Sequence, residues 1–329
     1  MKEKSLIKMY AAGLLSSQIE FLNAQLLGIQ QGSTNDFVHH ARVMSRRLRS
    51  TIETFSAQLE KKKSKGWLAS LSALTKSLTK IRDLDVQIAY LENIIAKNEN
   101  PQTAQGINRI LLRKKQKRAS YDDQALSSVK AFIKTSTPTD LKGFVDANQL
   151  AEEVFIPTSN LSQIAIEKID EALKNCFSFA PFITDPQNNT ALHKMRIAIK
   201  NLRYSTELFQ ILYPTLKEFL DILKQFQDEL GKIHDCDVWL ADLEDFQAKE
   251  RRRINEFYGQ TGPFNFIKPG IIFLTEEIQQ SRSSAYENFI RLWNEQFQVQ
   301  FWSQLRDQIV LFPPYKNEEA PDPAAVETE

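Results

Sequence analysis

Two segments of this 329-residue chain carry the same set of chemically able side chains. Residues 38–55 read VHHARVMSRRLRSTIETF and residues 192–209 read LHKMRIAIKNLRYSTELF. Six of the eighteen positions are identical, among them His39/His193, Arg42/Arg196, Arg49/Arg203 and Glu53/Glu207. At 3.6 residues per turn, His39, Arg42, Arg46 and Arg49 share one helix face, and so do His193, Arg196, Lys200 and Arg203. The adjoining stripe is apolar, through Leu48, Ile52 and Phe55 in one copy and Leu192, Met195 and Ile199 in the other. Four bases on one face repel one another, so the row costs stability until something negative neutralises it. Arginine presents a fixed planar fork that fits phosphate oxygens two at a time, which makes a rail for regularly spaced phosphate the sharper reading. A solvated polar face closed by salt bridges is the plainer one. Glu53 and Glu207, four residues beyond Arg49 and Arg203, are expected to pair with them along the helix.

A second match lies about forty residues further on, where 79–91 (TKIRDLDVQIAYL) aligns on 231–243 (GKIHDCDVWLADL) with seven of thirteen positions identical. The two offsets, 154 and 152, point to one duplication, and hence to two similar helical bundles. The Asp-x-Asp pairs here, Asp83/Asp85 and Asp235/Asp237, look like magnesium ligands. They read better as caps, Asp83 and Asp235 opening a helix and Asp85 and Asp237 in its first turn, with pairing to the basic row as a further role. A Mg²⁺-bridged phosphate contact is the alternative. Asp36 and Thr190 stand three residues before the repeated histidines and are expected to cap those helices. That would put His39 and His193 in a first turn, where free backbone N–H groups favour anions.

A third basic row, Arg109, Arg113 and Lys117 at i, i+4 and i+8, belongs to a helical stretch at 104–134; Arg113 and Lys117 join the candidate phosphate ligands. The four histidines, His39, His40, His193 and His234, form no metal-binding spacing, so no metal or other cofactor is expected. Cys176 and Cys236 stand apart, as in a reducing compartment, and no apolar run is long enough to span a membrane, so a cytoplasmic protein without a membrane partner is expected.

Helical periodicity dominates the rest, and almost no stretch alternates as a strand would. Helices are expected near 5–31, 36–60, 66–80, 83–99, 104–134, 158–178, 190–212, 215–230, 235–258 and 270–310. The fold class is therefore all-α, with a first bundle over 1–150, a second over 151–312 and a disordered acidic tail over 313–329. The 42 lysines and arginines nearly balance 41 acids, but five of those acids sit in the last twelve residues, which have no base. Residues 37–65 hold eight bases against two acids. Local clustering of this kind points to a polyanionic partner.

The segment His39-His40-Ala41-Arg42 followed by Arg46-Arg47-Leu48-Arg49, its repeat from His193 to Tyr204, and the two Asp-x-Asp-Val segments resemble the CHAD family, the conserved histidine α-helical domain. The resemblance spans roughly residues 5–310. It implies two pseudo-symmetric helical bundles that bind inorganic polyphosphate along a basic surface or central channel, some members being associated with polyphosphate granules. Carried over by position, it implies His39, Arg42, Arg46, Arg47 and Arg49 as ligand-facing in the first copy. In the second it implies His193, Arg196, Lys200, Arg203 and Tyr204. Departures are Asn201 at the place of Arg47 and His234 at the place of Arg82. Nothing in the chain reads as the β-rich CYTH triphosphate domain often fused to such modules. The leading expectation is non-catalytic polyphosphate binding. A nucleic-acid-binding helical protein is the first alternative, and a metal-dependent polyphosphate-processing enzyme or a plain helical scaffold comes behind it.

Overall fold

The computed structural model describes residues 3–32, 35–148 and 159–310. The acidic tail at 313–329 and residues 149–158 lie outside those residues. Among them every regular element is a helix: α1 (Glu3–Gln30), α2 (Asn35–Thr54), α3 (Lys61–Lys97), α4 (Pro101–Ala119), α5 (Asp122–Ile133), α6 (Thr137–Asn148), α7 (Ser159–Phe177), α8 (Asn189–Glu207), α9 (Leu216–Tyr258), α10 (Lys268–Gln298) and α11 (Phe301–Val310), with short 3₁₀ turns between some of them. The all-α expectation holds.

Three apolar clusters hold these helices together. The first joins α1, α2, the start of α3, α5 and α6 around Trp67, Leu71 and Leu48. The second joins α7, α8, the start of α9, the end of α10 and α11 around Phe226, Phe289 and Trp293, and takes in Tyr10 and Phe55 from the N-terminal half. A third gathers Leu91, Ile107 and Ile110 with Trp239, Leu243 and Ile271, drawing on both sides of residue 150. The halves therefore share a core as well as each having one.

What makes the third cluster possible is length. Helix α3 runs 37 residues and α9 runs 43. The expected breaks at 80–83 and 230–235 do not occur. No proline interrupts either stretch, and the lone Gly231 is carried within the helix. Helix α9 ends instead at Gly259, whose φ of 67° is a left-handed conformation that glycine reaches without strain. The stretch 104–134 does divide, at Ser120–Tyr121, and 270–310 divides at Val299–Gln300. Where α4 crosses α10, Gly106 and Gly270 lie backbone to backbone. A Cβ on Gly106 would meet the Gly270 Cα at 2.8 Å, and one on Gly270 would meet the Gly106 Cα at 2.7 Å.

Candidate cation-lined cavity

Helices α2 and α8 lie side by side, each burying its apolar stripe in its own half except for Phe55, which enters the core of the other. Their cationic stripes, about 100° round each helix, then turn towards a space closed by α3, α9 and α10. This cavity measures about 1200 Å³. It receives His39, Arg42 and Arg46 from α2 and Arg196, Lys200, Arg203 and Tyr204 from α8. Helix α3 adds Thr79, Arg82 and Asp83, helix α9 adds Gln227, Lys232, His234 and Asp235, and helix α10 adds Arg291. A second cavity of about 590 Å³ shares Arg46, Lys200 and Tyr204 with the first and adds Arg49 and Lys168. The shared residues join the two spaces into one track.

The electrostatics are unbalanced. Among the described residues no carboxylate lies within 4.0 Å of the charged groups of Arg42, Arg46, Arg82, Arg196, Lys200 or Arg203, although Arg47, Arg49, Arg118 and Arg282 all have such partners. Arg42 Nε donates to Thr79 Oγ1 at 3.2 Å, and Arg203 Nε donates to Gln227 Oε1 at 3.0 Å. Arg203 also lies over the Tyr204 ring, 5.0 Å from its centre. The buried Nε of Arg46 and Nδ1 of His39 have no partner. Burial, followed by Arg46, Arg196, Arg42 and Arg49, pulls the Lys200 ammonium down to about 8. Burial also lowers Arg42 and Arg196, with Arg46 acting in the same direction on both. Asp228, Glu229 and Glu295 line the cavity too, with Glu229 held by Lys232 at 2.6 Å and Glu295 by Arg291 at 3.1 Å, so eight lysines and arginines face five acids and the six bases on α2, α3 and α8 leave the site short of negative charge.

The histidines behave accordingly. His193 is not among the residues that line the cavity, but its Nδ1 lies 3.2 Å from Nδ1 of His234, which is. One ring must donate and the other accept, so at least one of the pair is neutral. Burial and then Arg196 and His193 push His234 down to about 4, and burial likewise lowers His39 and His193. Both repeated histidines begin the second helical turn, not the first. The cap of α8 is Asn188, whose side chain accepts from Ala191 N, while Thr190 and Asp36 are already inside their helices.

The Asp-x-Asp pairs are not caps either, because they fall in mid-helix. Two residues along a helix are about 200° apart, so the two carboxylates of each pair face different neighbours. Asp83 and Asp235 enter the cavity, where burial raises both against the pull of Arg42 and Arg196. Asp85 takes Arg118 of α4 at 2.5 Å and Asp237 takes Arg282 of α10 at 2.6 Å. Arg282 also donates to Pro186 O at 2.9 Å and Asn189 Oδ1 at 2.7 Å, which fixes the start of α8. The described residues contain no group of three His, Cys, Asp or Glu side chains placed to hold a metal ion.

Besides His193, three expected ligands lie elsewhere. Arg47, one residue and 100° off the stripe, reaches across to Glu207 at 2.5 Å; Glu207 is thereby taken from Arg203, its expected partner. Arg113 pairs with Glu250 at 3.1 Å and Lys117 is exposed, both on α4 outside the two cavities. Arg82, Lys232, Arg291 and Lys168 line the track without having been singled out as ligands. Thr75, Thr79, Arg82, Asp83 and Val86 occupy one face of an unbroken α3, a periodicity that an assumed break at 80–83 conceals.

The model of the CHAD domain matches residues 13–244. The chain belongs to the CHAD-domain family. Solved structures agree on the fold. The CHAD domain from the plant Ricinus communis is 17% identical, with a TM-score of 0.57, over 94% of this chain and 93% of that one. PptA from Streptomyces chartreusis is 15% identical, with a TM-score of 0.59, over 87% of this chain and 99% of that one. No curated protein matches the chain. Among the described residues of this CHAD protein, no helix is long and apolar enough to cross a membrane.

Proposed function

We propose that this CHAD protein binds inorganic polyphosphate, without processing it, along the track formed by the two cavities. The observation that carries the reading is the convergence of six basic side chains from α2, α3 and α8, with no ion-pairing carboxylate, on a cavity of about 1200 Å³. Family membership supports it, since the resemblance to CHAD proteins implies polyphosphate as ligand. A phosphoanhydride chain brings the missing negative charge in a flexible, closely spaced form. Each guanidinium can then make two charge-assisted hydrogen bonds, and cations that repel one another in the free protein come to share counter-charge. Asp83 and Asp235 line the same cavity beyond ion-pair distance of these arginines and offset part of its positive charge. Association with polyphosphate granules in the cytoplasm follows from the same affinity.

Proton uptake tests this reading. Free Lys200 loses its proton near pH 8, whereas a bound polyanion favours the charged form. Binding at pH 8 should therefore take up protons, and affinity should fall as the pH is raised through 8. For the free protein the sign is opposite. The unfolded chain keeps this proton up to the ordinary lysine value, so folding stability rises with pH between 8 and 10.5. Calorimetric titration with long-chain polyphosphate in two buffers of different ionisation enthalpy reads the uptake. Binding with no proton uptake, or with release, contradicts Lys200 as a ligand.

A further inference from the structure

The basic row of α4 has no part in the track, yet it continues into a second feature. Helices α4 and α9 run antiparallel here, Lys114 meeting Asp242 while Arg109 and Arg113 meet Glu250. Glu250 is fully buried, and Arg253 of α9 is its third guanidinium partner at 3.0 Å. One carboxylate thus fixes three arginines, leaving a net excess of two positive charges with the forks already oriented. Four residues beyond Arg253, on the same helix face, Phe257 stands 81% exposed at the tip of α9. Tyr258 meets it edge-on at 4.8 Å and is itself 58% exposed. Reading along the surface, Lys117, Arg113, Arg109 and Arg253 lead in one direction to an open aromatic pair.

We propose that this α4–α9 face binds single-stranded nucleic acid, at a site separate from the polyphosphate track. A line of cations ending in exposed rings suits a ligand with phosphates along its length and flat bases to stack. Polyphosphate has nothing to place on Phe257. Arg251, Arg252 and Arg253 stand exposed within two turns of Phe257, as a lipid surface would want, but the basic row also continues away from the tip for about 12 Å along α4, as a strand would use. The phosphodiester chain also spaces its charges a sugar apart, which a single row of side chains one helical turn apart can follow.

The test uses the full-length protein and a labelled single-stranded uridine oligoribonucleotide, followed by fluorescence anisotropy. Phe257→Ala with Lys117→Glu changes two exposed side chains outside the three cores. It should weaken RNA binding about tenfold, while Arg46→Glu with Lys200→Glu leaves it within about twofold of the parent. With about four phosphates engaged, log affinity should fall against log salt with a slope of about −3. RNA binding lost in the Arg46/Lys200 variant but kept in the Phe257/Lys117 variant would place the strand in the cavity and overturn the proposal. No binding by the parent protein would also overturn it. So would Phe257-dependent binding to phosphatidylcholine–phosphatidylserine vesicles without RNA binding, which would make the tip a lipid contact. Polyphosphate titrations of the same proteins are read independently, so failure of either reading is visible without the other.

Discussion

Replacing Arg46 and Lys200 together by glutamate is expected to weaken long-chain polyphosphate binding by about two to four orders of magnitude. These two residues are shared by both cavities, so the change reverses the charge where the track is continuous. Two charge-assisted hydrogen bonds are lost, at about 1.5–3 kcal/mol each, and each tenfold in affinity is about 1.4 kcal/mol. Unfolding cannot produce this result unnoticed. The cluster repels itself in the free protein, and two carboxylates placed inside it relieve that repulsion. The double variant should therefore keep or raise its melting temperature while losing the ligand. Equilibrium binding and a thermal melt on the same preparation check both halves of the expectation. Binding within about threefold of the parent would mean that the chain does not pass between α2 and α8.

The second large effect is structural. Gly106→Ala or Gly270→Ala puts a methyl group against the backbone of the facing helix, where Ile267 O and Thr103 O also lie well inside contact distance. Backbone cannot rotate away as a side-chain end can, so α4 and α10 must separate. Their shared core, with Ile107, Ile110, Ile271 and Leu274 all buried, loses its fit. Overpacking of this kind costs about 1–3 kcal/mol, and these contacts belong at the upper end. A melting temperature lowered by roughly 3–5 °C is the expected result for either variant. An unchanged melt would show that the crossing is looser than these distances. Because the crossing lies outside both cavities, polyphosphate affinity should change little below the melt.

The repeated helix was legible because its signal is local. A four-base stripe next to an apolar stripe fixes which way the bases point once the apolar stripe is buried, and six of the eight stripe residues on α2 and α8 line the main cavity as that logic requires. Arg47 fails the same logic: adjacent to Arg46 in sequence, it is a quarter-turn away in space and spends its charge on Glu207. The Asp-x-Asp segments misled for another reason. Aspartate is a frequent cap, so a helix start at Asp83 or Asp235 is the natural reading. Only the packing of α3 and α9 through the third core keeps those helices running past them. Losing the continuity of α3 also hid Arg82, whose place on the cavity follows from its phase with Thr75 and Thr79. The basic row on α4 shows the limit of periodicity. It identifies a charged face but not which side of the molecule that face occupies, which depends on contacts with α9 and α10 far away in sequence.

The central claim, that cations from both halves of the chain jointly grip one polyanion, is tested most directly by the salt dependence of polyphosphate affinity. Among the described residues, six cations without ion-pair partners line the main cavity. Using the single-strand coefficient, log affinity should fall against log salt with a slope of about −4. A slope flatter than about −1, or no binding at low salt, would contradict it.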